Sequence, residues 1–171
     1  MDTILRIGKE QKFGSSGSSA IEMLRRTDVG GNSVLHLAAR STPAMIRMIC
    51  TTVGLDAYQR LLEGRNSAGH TPLHVASTQN SFAPNIGALL EPLRFNPQRL
   101  GDILKQSAGN DGTAIHLAAS KGLEAIECVR ALINVDPTTV HLPDNDILLK
   151  TPLFYATHKN VPRTLITYFF H

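Results

Sequence analysis

The chain has little that would support several common protein classes. It contains no tryptophan, only 5% aromatic residues and only two cysteines, Cys50 and Cys128, set far apart in apolar stretches. Two such thiols make neither a disulfide framework nor a zinc site, and they read as core residues of a reducing compartment. Apolar runs are short: nowhere do 18 uncharged apolar residues follow one another, and the N-terminus has no apolar signal stretch. The expectation is a soluble protein of the cytoplasm, the nucleus or both. Charge of either sign is also thin, with 18% charged residues and a net charge of +3. The 17 Lys and Arg are scattered, and their tightest cluster is Arg25–Arg26. Nucleic-acid binding needs a stripe of cations that neutralises several phosphates together, so no nucleic-acid partner is expected.

What is present is repetition. Ser33-Val34-Leu35-His36, Thr71-Pro72-Leu73-His74, Thr113-Ala114-Ile115-His116 and Thr151-Pro152-Leu153-Phe154 align at intervals of 38, 42 and 38 residues. Each is followed by two small residues: Ala38-Ala39, Ala76-Ser77, Ala118-Ala119 and Ala156-Thr157. A Ser or Thr in that place caps a helix by accepting a bond from an unpaired backbone N–H. Pro72 and Pro152 then occupy the first helical position, where a missing N–H costs nothing. Leu35, Leu73, Ile115 and Leu153 share a face with the small pair one turn later. Small residues there let a neighbouring helix approach closely.

A second apolar period follows each of these helices: Ile46, Ile49 and Val53; Ile86, Leu89, Leu90 and Leu93; Ile126, Val129, Leu132 and Ile133; Leu165, Ile166 and Phe169. Their spacing is that of amphipathic helices. Each unit is therefore helix, turn, helix, and then a polar Gly/Asn/Asp stretch before the next cap. Between units, Leu55 to Leu62 carries enough apolar residues for an extra turn or two. Asn96-Pro97 reads as the cap and start of a short helix ending near Lys105. Residues 135–150, with Pro137 and Pro143, read as a loop.

Gly69-His70-Thr71-Pro72-Leu73-His74-Val75-Ala76 and Thr113-Ala114-Ile115-His116-Leu117-Ala118-Ala119 resemble the ankyrin-repeat signature. The resemblance covers about residue 28 to residue 171. It implies an all-α ankyrin-repeat solenoid of about four helix-turn-helix repeats, near 28–65, 66–107, 108–145 and 146–171. Ankyrin repeats are usually about 33 residues long, so these carry lengthened inter-repeat loops. The fourth departs further, with Phe154 in place of His and Leu149 where a turn glycine is expected, which puts its hairpin turn in doubt. Gly14-Ser15-Ser16-Gly17-Ser18-Ser19 makes residues 1–19 a flexible segment. Ser19-Ala20-Ile21-Glu22 matches a capping box and opens a degenerate N-terminal capping helix over 20–26, the start of a repeat domain spanning 20–171.

Candidate chemistry is weak against that background. His70 and His74 are four apart, but His74 shares its repeat position with His36 and His116, so a structural role explains it. No carboxylate or thiol completes a metal-ligand set at plausible spacing, and no metal or cofactor is expected. No P-loop, dinucleotide fingerprint, H-E-x-x-H or G-x-S-x-G elbow occurs, so no enzyme activity is expected. What remains is a surface. Stacked repeats make a curved body whose concave side suits a partner. The resemblance implies contacts from hairpin tips and first-helix ends: Arg26, Asp28 and Asn32, then Arg65, Asn66 and His70, then Asn110 and Asp111, with Arg40, Gln79 and Lys121 along the helix ends. Arg65→Ala, as a surface change, is expected to alter stability by less than about 0.5 kcal/mol.

Within the class, Gly31-Asn32-Ser33-Val34-Leu35-His36-Leu37-Ala38-Ala39 resembles repeats of NF-kappaB inhibitors and Rel precursors, and Asn110 to Ala118 is locally similar. The degradation signal Asp-Ser-Gly-x-x-Ser of such inhibitors is broken here: Ser16-Gly17 lacks the preceding Asp and ends on Ala20. No acidic tail follows the repeats. In lacking both segments the chain is similar to the short viral inhibitor mimics of parasitoid-wasp viruses. That resemblance implies a Rel-homology transcription factor as partner, bound without signal-induced degradation. Two alternatives stand beside it: an ankyrin adaptor or effector recruiting another protein, and a fragment of a larger ankyrin protein. A monomer is expected unless the apolar C-terminal stretch Leu165–His171 self-associates; terminal repeats normally present a polar outer face.

Overall fold

A computed structural model describes residues 26–144, 149–158 and 166. The N-terminal segment expected to be flexible (1–19), most of the expected capping helix (20–25) and, apart from Ile166, the apolar C-terminal stretch lie outside those residues. The N-terminal cap and the C-terminal self-association therefore stay expectations of the sequence.

Among the described residues the chain is helical, with isolated bridges Thr27–Ser33 and Ser107–Thr113 at the bases of two turns. The first repeat contributes α1 (Val34–Ala39) and α2 (Pro43–Val53), followed by an extra helix, α3 (Leu55–Glu63). The second contributes α4 (Pro72–Ala76) and α5 (Ala83–Leu90), then its own extra helix, α6 (Pro97–Leu104). The third contributes α7 (Ala114–Lys121) and α8 (Ile126–Val135), and the fourth begins with α9 (Pro152–His158). First helices stack on first helices, α1 on α4 and α7 on α9, while second helices stack α2 on α5 and α5 on α8. The expected all-α solenoid is the observed architecture.

The reason lies in the first-helix face. Leu35, Leu73 and Ile115 are buried, and Ala38, Ala39, Ala76, Ala118 and Ala119 sit against them with almost no exposure. Methyl side chains let the helix backbones approach, and each buried Leu or Ile contributes roughly 1.5–3 kcal/mol of apolar transfer. On the second helices Ile46, Ile49, Ile86, Leu89, Val129 and Leu132 join the same continuous core.

The extra helices fall where the apolar spacing placed them. Asn96 accepts from Arg99 N and Pro97 opens α6, which ends at Leu104. In α3, Tyr58, Leu61 and Leu62 are buried, and the Tyr58 hydroxyl donates to Leu89 O at 3.0 Å. Within the stretch read as a loop, Pro137–His141 forms a short 3-10 helix. Asp136 is the reason, because its carboxylate accepts from Thr138 N at 2.9 Å and Pro137 takes the first position. The doubted fourth turn closes at its base, with Asp144 N donating to Lys150 O at 2.9 Å and Lys150 N to the Asp144 carboxylate at 2.9 Å. Leu149 there holds a φ of 45°, the conformation glycine normally supplies, at a cost of about 1 kcal/mol.

Candidate functional site

The hairpin tips and first-helix ends form the candidate surface, and both are positioned by the capped helix starts. In repeat two, Thr71 N and the Thr71 hydroxyl both reach His74 Nδ1, at 3.4 and 2.8 Å. The ring's other nitrogen, Nε2, lies 3.2 Å from Gly112 O of the next hairpin. Because a carbonyl only accepts, Nε2 carries the proton and Nδ1 is the acceptor. His36 does the same between Ser33 and His70 O at 2.9 Å, and His116 between Thr113 and Lys150 O at 3.0 Å. Each histidine thus ties its own helix start to the hairpin of the following repeat. Burial lowers all three pKa values, partly offset by the carbonyl each ring meets, and His74 falls to about 4. These rings are neutral structural pins, as the repeat position implied.

The tips themselves are largely engaged with one another. Asp28 accepts from Gly30 N, Asn32 N and the Asn32 side chain, and the Asn32 contacts above all hold its carboxyl below the usual range. Asn32 Oδ1 accepts from Asn66 Nδ2 at 2.9 Å, and Asn66 Oδ1 in turn accepts from Ala68 N and His70 N. His70 Nε2 lies 2.6 Å from the Asp111 carboxylate, and the His70 ring stacks on His74 with centroids 5.8 Å apart. The His70–His74 pair therefore meets ring to ring, although His70 lies before the helix. Asn110 O accepts from the Tyr155 hydroxyl at 3.4 Å.

Arg65 departs most from its expected role. Its Nη1 donates to Gly69 O at 2.8 Å and to Ser107 O at 2.6 Å, which joins the second hairpin to the third. It is a surface residue by exposure but a strut by bonding, so a larger stability effect than that of an ordinary surface position is expected. By contrast, the side chains of Arg40, Gln79 and Lys121 are exposed and make no hydrogen bond among the described residues. Arg40 caps the end of α1 and Lys121 is the last residue of α7, while Gln79 lies three residues beyond the end of α4, so all three stand at or just past the ends of first helices. Arg26 is exposed at the start of the first hairpin.

Spacing alone did not single out the polar residues that join second helices to the preceding repeat. Asn85 is buried in α5 and donates to Ala39 O at 3.0 Å, while its Oδ1 has no partner among the described residues. The Cys128 thiol, pushed up to about 12 by burial, donates to Ala76 O and to Gln79 O at 3.0 Å. Asn80 bridges forward, donating to Leu123 O and accepting from Glu127 N. A signal existed for Asn85: it is the lone polar residue on an apolar helix face, at the repeat position that Cys128 also holds. No group of three or more His, Cys, Asp or Glu that could hold a metal occurs among the described residues. None of the described helices is long and apolar enough to cross a membrane.

Capped helix starts stacked through histidine pins, with an exposed flank at the helix ends, define a repeat scaffold that works through its surface. The ankyrin-repeat family model matches residues 110–145, the third hairpin and helix pair. The fold is an all-α ankyrin-repeat solenoid, and repeats of this kind are protein–protein interaction modules. No curated protein matches the chain.

Proposed function

We propose that this solenoid is a non-enzymatic module that binds another protein along the flank formed by Arg40, Gln79 and Lys121, with Arg26 at its edge. The observation that carries this reading is the contrast in bonding between flank and tips. Asp28, Asn32, Arg65, Asn66, His70 and Asp111 are engaged within and between hairpins, whereas the helix-end side chains are exposed and without hydrogen-bond partners among the described residues. A partner therefore finds its unsatisfied donors at the flank, and the tips supply a rigid shape beside them. Two cations and an amide in a row suit an acidic or carbonyl-rich surface. The buried histidines are each held through both ring nitrogens, and the Cys128 thiol is buried and protonated, which supports the non-enzymatic part of the reading.

The partner we propose is a Rel-homology transcription factor, held in an inhibited state without signal-induced degradation. The support is local: the Gly31–Ala39 string, together with the broken degradation motif around Ser16-Gly17. Mixing purified chain with a Rel-homology domain and measuring binding by titration calorimetry tests it. Binding that weakens at least about tenfold in the Arg40→Glu, Lys121→Glu double variant is expected, as for charges reversed within an interface. No detectable binding at micromolar concentration sinks the Rel assignment. Binding unchanged by the double variant sinks the flank.

A further inference from the structure

Spacing, one fixed apolar side chain and one carboxylate narrow the chemistry of what the flank binds; the inference rests on the binding reading above. Spacing comes first. α1 packs on α4 and α4 on α7. Packed helices lie about 8–10 Å apart, so Arg40 at the end of α1 and Lys121 at the end of α7 stand about 16–20 Å apart, with Gln79 between them. An extended chain advances about 3.3 Å per residue and presents the same face at every second residue. Two of its side chains on one face therefore meet both cations when about six residues apart. Between them the Gln79 amide, which donates and accepts, is placed to meet main-chain groups of such a segment. A docked helix instead needs an apolar groove for anchors one turn apart, and a row of polar helix ends supplies none.

The apolar side chain is Leu123, 54% exposed and two residues beyond Lys121 in the 3-10 turn Gly122–Ala125. Repeat two braces that turn. Asn80 Nδ2 donates to Leu123 O at 2.7 Å, and Asn80 Oδ1 accepts from Glu127 N at 2.8 Å. The backbone that carries Leu123 thus needs no ordering on binding, which lowers the entropic cost of a contact there. The carboxylate is Glu124, exposed immediately after Leu123. From the Arg40 end the flank therefore runs cation, amide, cation, leucine, carboxylate. An acid on the partner is attracted at either cation and repelled past Leu123.

We infer that the flank takes an extended acidic segment of its partner, with two carboxylate side chains about six residues apart on one face, an apolar side chain next along that face, and no acid beyond it. The carboxylates meet Arg40 and Lys121, and the apolar side chain rests on Leu123. Leu123 is then the anchor, and the charges on either side of it set the register in which the segment lies.

Selection from a displayed library of random peptides, each long enough to span both cations, on the immobilised full chain tests this. The pattern, read in either chain direction, is expected at least about tenfold above its frequency in the unselected library, as for a specific charge match. Selection on a Lys121→Glu variant should replace the second acid by Lys or Arg and leave the first. Selection on Leu123→Ser should remove the apolar preference alone. Both positions are exposed, and circular dichroism checks that each variant keeps its helices. No enrichment, an enriched set without the spacing, or a pattern unmoved by Lys121→Glu overturns the inference. So does tighter binding of a single-stranded oligonucleotide than of the selected peptides, which assigns the cations to phosphates. The flank reading fails separately, when the Rel-homology titration is unchanged by Arg40→Glu with Lys121→Glu. A weakened titration beside an enriched set without the spacing overturns this inference alone.

Discussion

Acidification should loosen the stack through its three histidine pins. Each ring is neutral in the fold because Nδ1 accepts from the cap residue while Nε2–H donates to the next hairpin's carbonyl. A proton added to Nδ1 removes that acceptor and places a charge in the core. Burial depresses the folded pKa of His74 from 6.5 to about 4. The unfolded chain therefore takes up a proton near pH 6.5 that the folded chain refuses until about pH 4. The contribution is fully present above pH 6.5 and is lost as pH falls between those values. Over the whole window His74 alone is worth about 3 kcal/mol, of which about 2 kcal/mol is lost by pH 5. His36 and His116 shift in the same direction and add to the slope. Asp28, held low chiefly by Asn32, loses its contribution only below 3.8, outside this window. Urea unfolding at pH 7.5 and pH 5, compared with a His74→Phe variant, reads the effect. The variant is less stable at pH 7.5, where Thr71 loses its acceptor, but its decline between the two pH values should be smaller by about 2 kcal/mol. An identical decline in parent and variant would refute the assignment of His74 as a neutral pin.

Three further outcomes are set by the packing. Leu73→Ala should cost roughly 2–5 kcal/mol by urea unfolding, because the side chain is 1% exposed and belongs to the continuous core, so its removal leaves a cavity. Arg65→Ala should cost about 1–2 kcal/mol, well above an ordinary surface change, since the two carbonyls it ties lie in different hairpins; a loss under about 0.5 kcal/mol would show the strut is idle. Gly112→Ala should destabilise far more than Gly69→Ala. Both glycines have positive φ, but a Cβ at 112 meets the His116 ring and its Cβ at 2.9 Å, whereas a Cβ at 69 meets nothing within 4 Å. Thermal melts of the two variants should separate by several degrees, because the first must displace a histidine pin and the second bears only backbone strain.

The stack was legible in the sequence because its determinants are local and recur. A Ser or Thr cap, a Leu or Ile two residues later and then a pair of small residues state the first helix within eight residues, and four copies leave little else for the pattern to mean. Asn96-Pro97 gave α6 for the same reason, since cap and first helical position are adjacent. The roles of the polar tip residues were less legible. Arg65 and Asp111 read as exposed contacts, and they are exposed, yet Arg65 bonds a carbonyl 42 residues away and Asp111 meets a histidine 41 residues away. Those separations are one repeat long. A polar residue's partner across a repeat interface depends on the rise and twist of the stack, which no local pattern encodes.

The same distinction explains why the extra helices matter to the candidate surface. A repeat interval near 40 residues requires material that a shorter repeat lacks, and α3 and α6 place it beyond the second helices, pinned together by the Glu63–Arg99 ion pair at 3.4 Å. Both are amphipathic and bury one face on the core, with Tyr58 and Leu62 in α3 and Ile103 and Leu104 in α6. They thicken the stack without entering the line of first-helix ends, so the spacing of Arg40, Gln79 and Lys121 is still set by helix-on-helix packing of α1, α4 and α7. Small residues at that contact hold the first helices close. An enlargement there, such as Ala76→Leu, should therefore disturb the flank's geometry more than a polar insertion in the turn between α2 and α3.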